Sequence, residues 1–227
     1  MKKVYDFFDK LFNHAPGYFF GILAFIFGFF GTILALLLSP EYIFWQKSIS
    51  ILGHQTGGIY LRIGIILFGS TSIPFLIYFV RCLKNENVNG YLIKIGLYTS
   101  IFSSITTVLT ESFTGVNEFI SSLHGLFALL SWIGASLFLT IFSILTNKNP
   151  NFSKTQAIIS YVVSGIFIFY LIPFFITNFC NTFPESTGIY NFGRVIYTIM
   201  PTTEWIVHFG ILFWLLINSC YLLYKKI

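Results

Sequence analysis

Residues 203–224 read TEWIVHFGILFWLLINSCYLLY. After Glu204 the run holds no further carboxylate and no lysine or arginine, and its length is close to the ~20 helical residues that cross a hydrocarbon core. It reads as a transmembrane helix. Glu204 and His208 stand four apart at its start, which puts both side chains on one helix face, about one turn from each other. What an acid and an imidazole do at the mouth of a span depends on the rest of the chain.

The rest is of the same kind. Of 227 residues, 56% are hydrophobic and 9% charged, with 29 Phe and 13 Tyr; soluble domains carry roughly 25% charged residues. Six apolar runs long enough to span emerge: Tyr18–Ser39, Ile59–Phe79, Tyr91–Thr110, Ser122–Thr146, Gln156–Thr177 and Thr203–Tyr224. The expected fold is all-α, a polytopic bundle of six helices forming a single domain over residues 1–227. Ahead of it, residues 1–15 place Val4, Phe7, Phe8, Leu11 and Phe12 at helical spacing among Lys3, Asp6, Asp9 and Lys10, the pattern of an interfacial amphipathic helix. The first apolar run outlasts a signal-peptide core and runs into Ser39-Pro40-Glu41-Tyr42 with no small-x-small cleavage site, so it is expected to be retained.

Cations set the orientation. With both termini inside, Lys2, Lys3, Lys10, Arg81, Lys84, Lys94, Lys148, Lys154, Lys225 and Lys226 are cytoplasmic and Lys47, Arg62 and Arg194 are not. That asymmetry predicts cytoplasmic termini in a multi-pass protein of the cell membrane. The cations are spread over several segments without a basic block, so the net charge of +5 points to no nucleic-acid partner. Membrane lipids are the expected partners. Cys82, Cys180 and Cys220 form neither a disulfide framework nor a metal motif.

Small-residue spacing in the first span, at Gly17, Gly21, Gly28 and Gly31, favours close helix packing. Pro74 and Pro173 fall inside spans 2 and 5. The connection 40–58 is aromatic and reads as a short interfacial helix ended by a flexible turn at Gly57-Gly58, and the long aromatic connection 178–203 is expected to cap a cavity or lie on the bilayer.

The polar residues gather at one level. Glu111 ends span 3, His124 begins span 4, Glu204 and His208 begin span 6 and His54 lies between spans 1 and 2. Ser100, Ser104, Thr107 and Glu111 step by four, three and four, a stripe expected to face the bundle interior or water. If these groups converge, His54, His124 and His208 are the candidate ligands of a zinc-like ion with an open position for water, and Glu111 and Glu204 the candidate catalytic carboxylates. Ser50, Arg62 and Arg194, on the same side, are the candidates to bind substrate. Without a metal, the same set can hold a lipid headgroup or relay a proton. His124 and His208 could also ligate haem. The competing reading is non-catalytic, a lipid-binding, transport or structural protein whose polar groups satisfy one another. For Glu204 the plain alternative is an acid favoured in the first turn of its own helix.

The segments SPEYIFWQKSISILG, IYLRIGIILFGSTSI, TESF with SSLHG, and TEWIVHFGILFW together resemble the six-helix prokaryotic membrane proteins called domain of unknown function 998. Ser50, Leu52 and Gly53 match that family's Ser-x-x-Leu-Gly turn in shifted form, His124 its histidine at the start of span 4, and Glu204 the acid of its Glu-Arg pair. Trp205 stands where the family has arginine, and the family's proline after span 3 is not found beside Glu111. The architecture is similar, more distantly, to the Frag1/DRAM/Sfk1 membrane proteins, which implies a link to lipid handling. The scattered Ser, Glu and His at one face also resemble the seven-span zinc-dependent hydrolases of the alkaline ceramidase and progestin-adipoQ receptor group, which implies lipid or amide hydrolysis. Those proteins have His-x-x-x-His where this chain has Glu-x-x-x-His.

Overall fold

The computed structural model describes residues 2–86, 88–114 and 117–226, with the side chains of Lys2, Lys3, Val4 and Tyr5 outside the described ones. Among the described residues nine helices follow one another: α1 (Lys2–His14), α2 (Gly17–Leu37), α3 (Ile49–Leu52), α4 (Gly58–Leu83), α5 (Gly90–Ser112), α6 (Glu118–Lys148), α7 (Lys154–Cys180), α8 (Gly188–Tyr197) and α9 (Met200–Lys225). Among the described residues there is no strand. Six helices, α2, α4, α5, α6, α7 and α9, are long and apolar enough to cross a membrane, the count expected from the sequence. The protein is all-α and a multi-pass integral membrane protein.

Each long helix packs against the next in the chain, and α9 returns to pack against α2, so the six close into a ring. Side-chain caps begin three of them: Asn89 accepts from the Tyr91 and Leu92 amides, Asn117 from Phe119 and Ser153 from Gln156. α4 and α7 run unbroken past Pro74 and Pro173.

The ring is tightest between α2 and α4, where glycines let two backbones touch. A Cβ on Gly31 would stand 2.7 Å from the Gly64 Cα, and one on Gly64 2.8 Å from the Phe27 carbonyl oxygen. Those neighbours are backbone and cannot step aside. Gly64→Val is expected to destabilise the protein by about 3 kcal/mol, read in denaturation from detergent micelles. Gly165→Val, where a Cβ meets nothing within 4 Å, is the control expected to stay near wild type.

The lumen differs at its two ends. At the end carrying the termini it is filled by rings: the fully buried Trp214 lies 5.5 Å from Phe79, 6.0 Å from Phe138, 6.2 Å from Phe75 and 6.3 Å from Phe142, centroid to centroid. The indole Nε1 donates to Ser160 Oγ at 2.8 Å and ties α9 to α7. At the opposite end the lumen is hollow.

Two amphipathic helices flank the ring. α1, the helix expected over 1–15, lies at the terminal end, where Asp9 accepts from Arg81 at 2.6 Å and Phe12 meets Tyr78. α8 sits at the other end, within the connection expected only as a loop. Gly193 packs against Cys180, while Ile189, Phe192 and Val195, three apart, are exposed along one face as in a helix lying in the membrane interface.

Candidate functional site

At the hollow end about 920 Å³ of space between side chains, part of it open to the outside, is lined by all of the ring helices except α2 and by α3. Along α9 its lining runs from Glu204 to Leu215, about 16 Å at the helical rise of 1.5 Å per residue. That is roughly half the ~30 Å of a hydrocarbon core. The character changes with depth: carboxylates at the opening, hydroxyls part way down the α4, α5 and α6 side, and Leu76, Phe138 and Leu215 at the floor.

The hydroxyl wall is the stripe expected on α5, enlarged. Ser104 and Thr107 line it, joined by Ser103 and Thr110 of the same helix, Ser72 of α4 and Ser131 of α6; Ser100 is buried but donates to the Leu97 carbonyl instead. These hydroxyls stitch three helices. Ser103 donates to the Ser131 carbonyl at 2.9 Å, Thr107 to the Ser103 carbonyl at 2.8 Å, Thr110 to the Thr106 carbonyl at 2.8 Å, Ser72 to the Gly69 carbonyl at 2.8 Å and Ser104 to the Ser100 carbonyl at 3.1 Å. Thr107 has one proton and spends it on Ser103, so the 2.6 Å contact between Thr107 Oγ1 and Ser131 Oγ is donated by Ser131.

The two carboxylates enter from opposite walls. Glu204, 8% exposed, is the fifth residue of α9, which begins at Met200 with Pro201 in its first turn. It therefore does not serve the first turn of its own helix. The Ser50 amide and hydroxyl and the Ile49 amide lie near it, which sets Glu204 beside the start of α3. Glu111, also 8% exposed, has no hydrogen-bond donor on its carboxylate among the described residues. Arg62 supplies a positive charge nearby, and the two carboxylates are close enough to repel.

The histidines have separate settings. His208 lies on the cavity wall with Nε2 2.9 Å from Thr32 Oγ1 of α2. Thr32 donates its proton to the Gly28 carbonyl at 2.7 Å, so it accepts from His208 Nε2–H, and Nδ1 is left as the ring's lone pair. His124 is half-buried and lines a second hollow of about 570 Å³, which shares Ser50, Ala128, Trp132 and Glu204 with the first and leads out past Tyr197 of α8. His124 Nδ1 donates to the Thr110 carbonyl at 2.8 Å. His54 is exposed on the α3–α4 turn. Among the described residues no three His, Cys, Asp or Glu side chains gather as a metal-ligand group.

Of the residues expected to bind substrate, Ser50 lines both hollows. Arg62 lines neither and is held by structure: Nη2 and Nε donate to the Gly53 carbonyl at 2.6 Å and 3.1 Å, closing the turn after α3. Arg194 is exposed on α8, its guanidinium 6.0 Å from the Tyr197 ring.

The cap over the cavity is pinned by residues whose part spacing along the chain does not reveal. Trp205, adjacent to Glu204, is buried and donates to the Lys47 carbonyl at 3.1 Å; the Tyr42 hydroxyl lies 2.7 Å from both the Lys47 and the Ser48 carbonyls and shares its one proton between them. Burial pushes the Tyr42 phenol far above its ordinary range, so it remains a donor. Thr202 donates to the Trp45 carbonyl at 3.2 Å. These bonds fix the 40–48 segment on the start of α9 and hold α3 against Glu204.

No protein-family model, no curated protein and no solved structure matches this chain. Fold and cavity by themselves define a class: a multi-pass membrane protein whose helix ring is closed by aromatic packing at one end and hollow at the other.

Proposed function

We propose that the protein binds an amphipathic membrane lipid, tail in the apolar depth of the cavity and headgroup among Ser50, Glu111, Glu204 and His208. The observation that carries this reading is the grading of one 920 Å³ space from carboxylates to an apolar floor within the depth of about half a bilayer. A soluble polar ligand would leave the floor unmatched, and a wholly apolar one would strand two buried carboxylates. The excess of lysine and arginine toward the termini supports cytoplasmic termini, with the cavity opening at the outer face.

The test is saturable quenching. Trp132 lines both hollows, so an alcohol with a brominated twelve-carbon chain, added to the protein in phosphatidylcholine nanodiscs, is expected to quench tryptophan fluorescence saturably. Trp132→Phe should remove most of the saturable component. Quenching that rises linearly with probe in both proteins would leave no bound lipid and defeat the proposal.

A further inference from the structure

The protons at the cavity's opening are already committed. Ser103 and Thr110 each donate to a backbone carbonyl; Ser72 and Ser104, 2.9 Å apart, spend their protons on each other and on the Gly69 and Ser100 carbonyls; Ser131 donates to Thr107, which donates to another carbonyl; the Ser50 hydroxyl lies beside Glu204. His208 spends its Nε2–H on Thr32, as Thr32 spends its own proton on Gly28. What the cavity's hydroxyls, carboxylates and imidazole offer an occupant is therefore lone pairs, with the indole N–H of Trp132 the remaining side-chain donor. Glu111 sharpens this. The residue is 8% exposed, lines the cavity, and its carboxylate receives no hydrogen bond among the described residues. A buried carboxylate in that state is costly unless something donates to it.

Charge narrows the class of donor. Two carboxylates face each other's field, and the cation acting on Glu111 is Arg62, whose donors close the Gly53 turn outside the cavity. With that cation committed outside the cavity, ionising both buried carboxylates together is costly, and a cation bound between them would offset the cost. A hydroxyl headgroup would supply donors without charge; an ammonium supplies both.

We propose that the occupant's headgroup is a cationic amine, its N–H groups donating to Glu111 and Glu204, with His208 Nδ1 as a further acceptor. This rests on the lipid-binding reading and specifies its ligand as a long-chain amine or aminolipid. The polar wall below, satisfied within itself, passes the tail to the apolar floor.

The experiment is competition against the brominated alcohol in neutral phosphatidylcholine nanodiscs, using dodecylamine, dodecanol and dodecanoate as competitors. Dodecylamine is expected to bind at least ten times more tightly than dodecanol, and dodecanoate more weakly than either. Glu111→Gln should cut the amine preference to threefold or less, with an unfolding transition in mixed micelles like the wild type's showing the variant to be folded; Glu204→Gln should act in the same direction. Equal binding of amine and alcohol, or an amine preference untouched by Glu111→Gln, overturns the amine proposal and leaves lipid binding standing. Zinc or calcium alone displacing dodecylamine but not dodecanol would put a metal ion in the ammonium's place and overturn it as well. Failure of all three competitors, with no saturable signal from the brominated alcohol, removes both readings.

Discussion

Ala128→Phe is expected to weaken lipid binding at least a hundredfold while the protein unfolds within a few degrees of wild type. Ala128 lies on α6 where the two hollows meet, alongside Ser50, Trp132 and Glu204. An aromatic ring there has open space on both sides of it and occupies the neck through which any ligand must pass. Because it fills a void instead of displacing packed atoms, its contacts offset the strain that a large residue causes in a dense core. Ala135→Phe makes the comparison deeper in the same cavity, at the level of Phe138. It should shorten the space available to the tail, so that affinity falls most for long chains and least for short ones. Equal loss for all chain lengths in both variants would mean that the cavity's depth does not hold the tail. Binding is read by the same quenching titration and folding by unfolding in mixed micelles.

The spans were legible because their signal is local: a helix in lipid must satisfy its own backbone and be apolar over about 20 residues, whatever surrounds it. The stripe on α5 was legible for the same reason, since an exposed row of hydroxyls would be misplaced against lipid. α8 was missed within a loop, although Thr187 caps it and Ile189, Phe192 and Val195 recur at helical spacing; an interfacial helix needs only one apolar face, and ten residues are too few to stand out from an aromatic connection. The site was legible as a level and not as a set of contacts. Glu204 read as a candidate catalytic carboxylate, with service to its own helix start as the alternative, and neither reading pointed to α3, some 150 residues earlier, beside which it lies. His208 offered no hint of Thr32, because a bond across the closing seam of the ring depends on how α9 rotates against α2. Arg62 read as a substrate contact because nothing in the sequence announces that a guanidinium will close the turn at Gly53. His54 lies close enough to act on His124, yet no three His, Cys, Asp or Glu side chains among the described residues gather as a ligand group, a distinction spacing along a chain does not carry.

The closed end of the ring makes the other large prediction. Trp214→Ala is expected to cost about 3 kcal/mol, the low end of the range for removing a fully buried aromatic, because helices associating in lipid gain packing contacts more than relief from water. The loss is concentrated: Phe75, Phe79, Phe138 and Phe142 all lie against this one ring, and none of them can move into the gap without leaving the others. Trp214→Phe separates packing from hydrogen bonding. It keeps most ring contacts and gives up the bond to Ser160, so it should cost only about 0.6 kcal/mol, the usual worth of a hydrogen bond between membrane helices. Ser160→Ala added to Trp214→Phe should then cost little more, since the partner is already gone. The void left by Trp214→Ala lies just beyond the floor formed by Leu76, Phe138 and Leu215. If the aromatic packing is what ends the cavity, this variant, though less stable, should favour longer-chain probes than the wild type does. Unfolding in mixed micelles measures the first effect and a chain-length series the second. A cost below about 1 kcal/mol for Trp214→Ala would mean that the rings do not form a packed plug, and an unchanged chain-length preference would place the end of the cavity elsewhere.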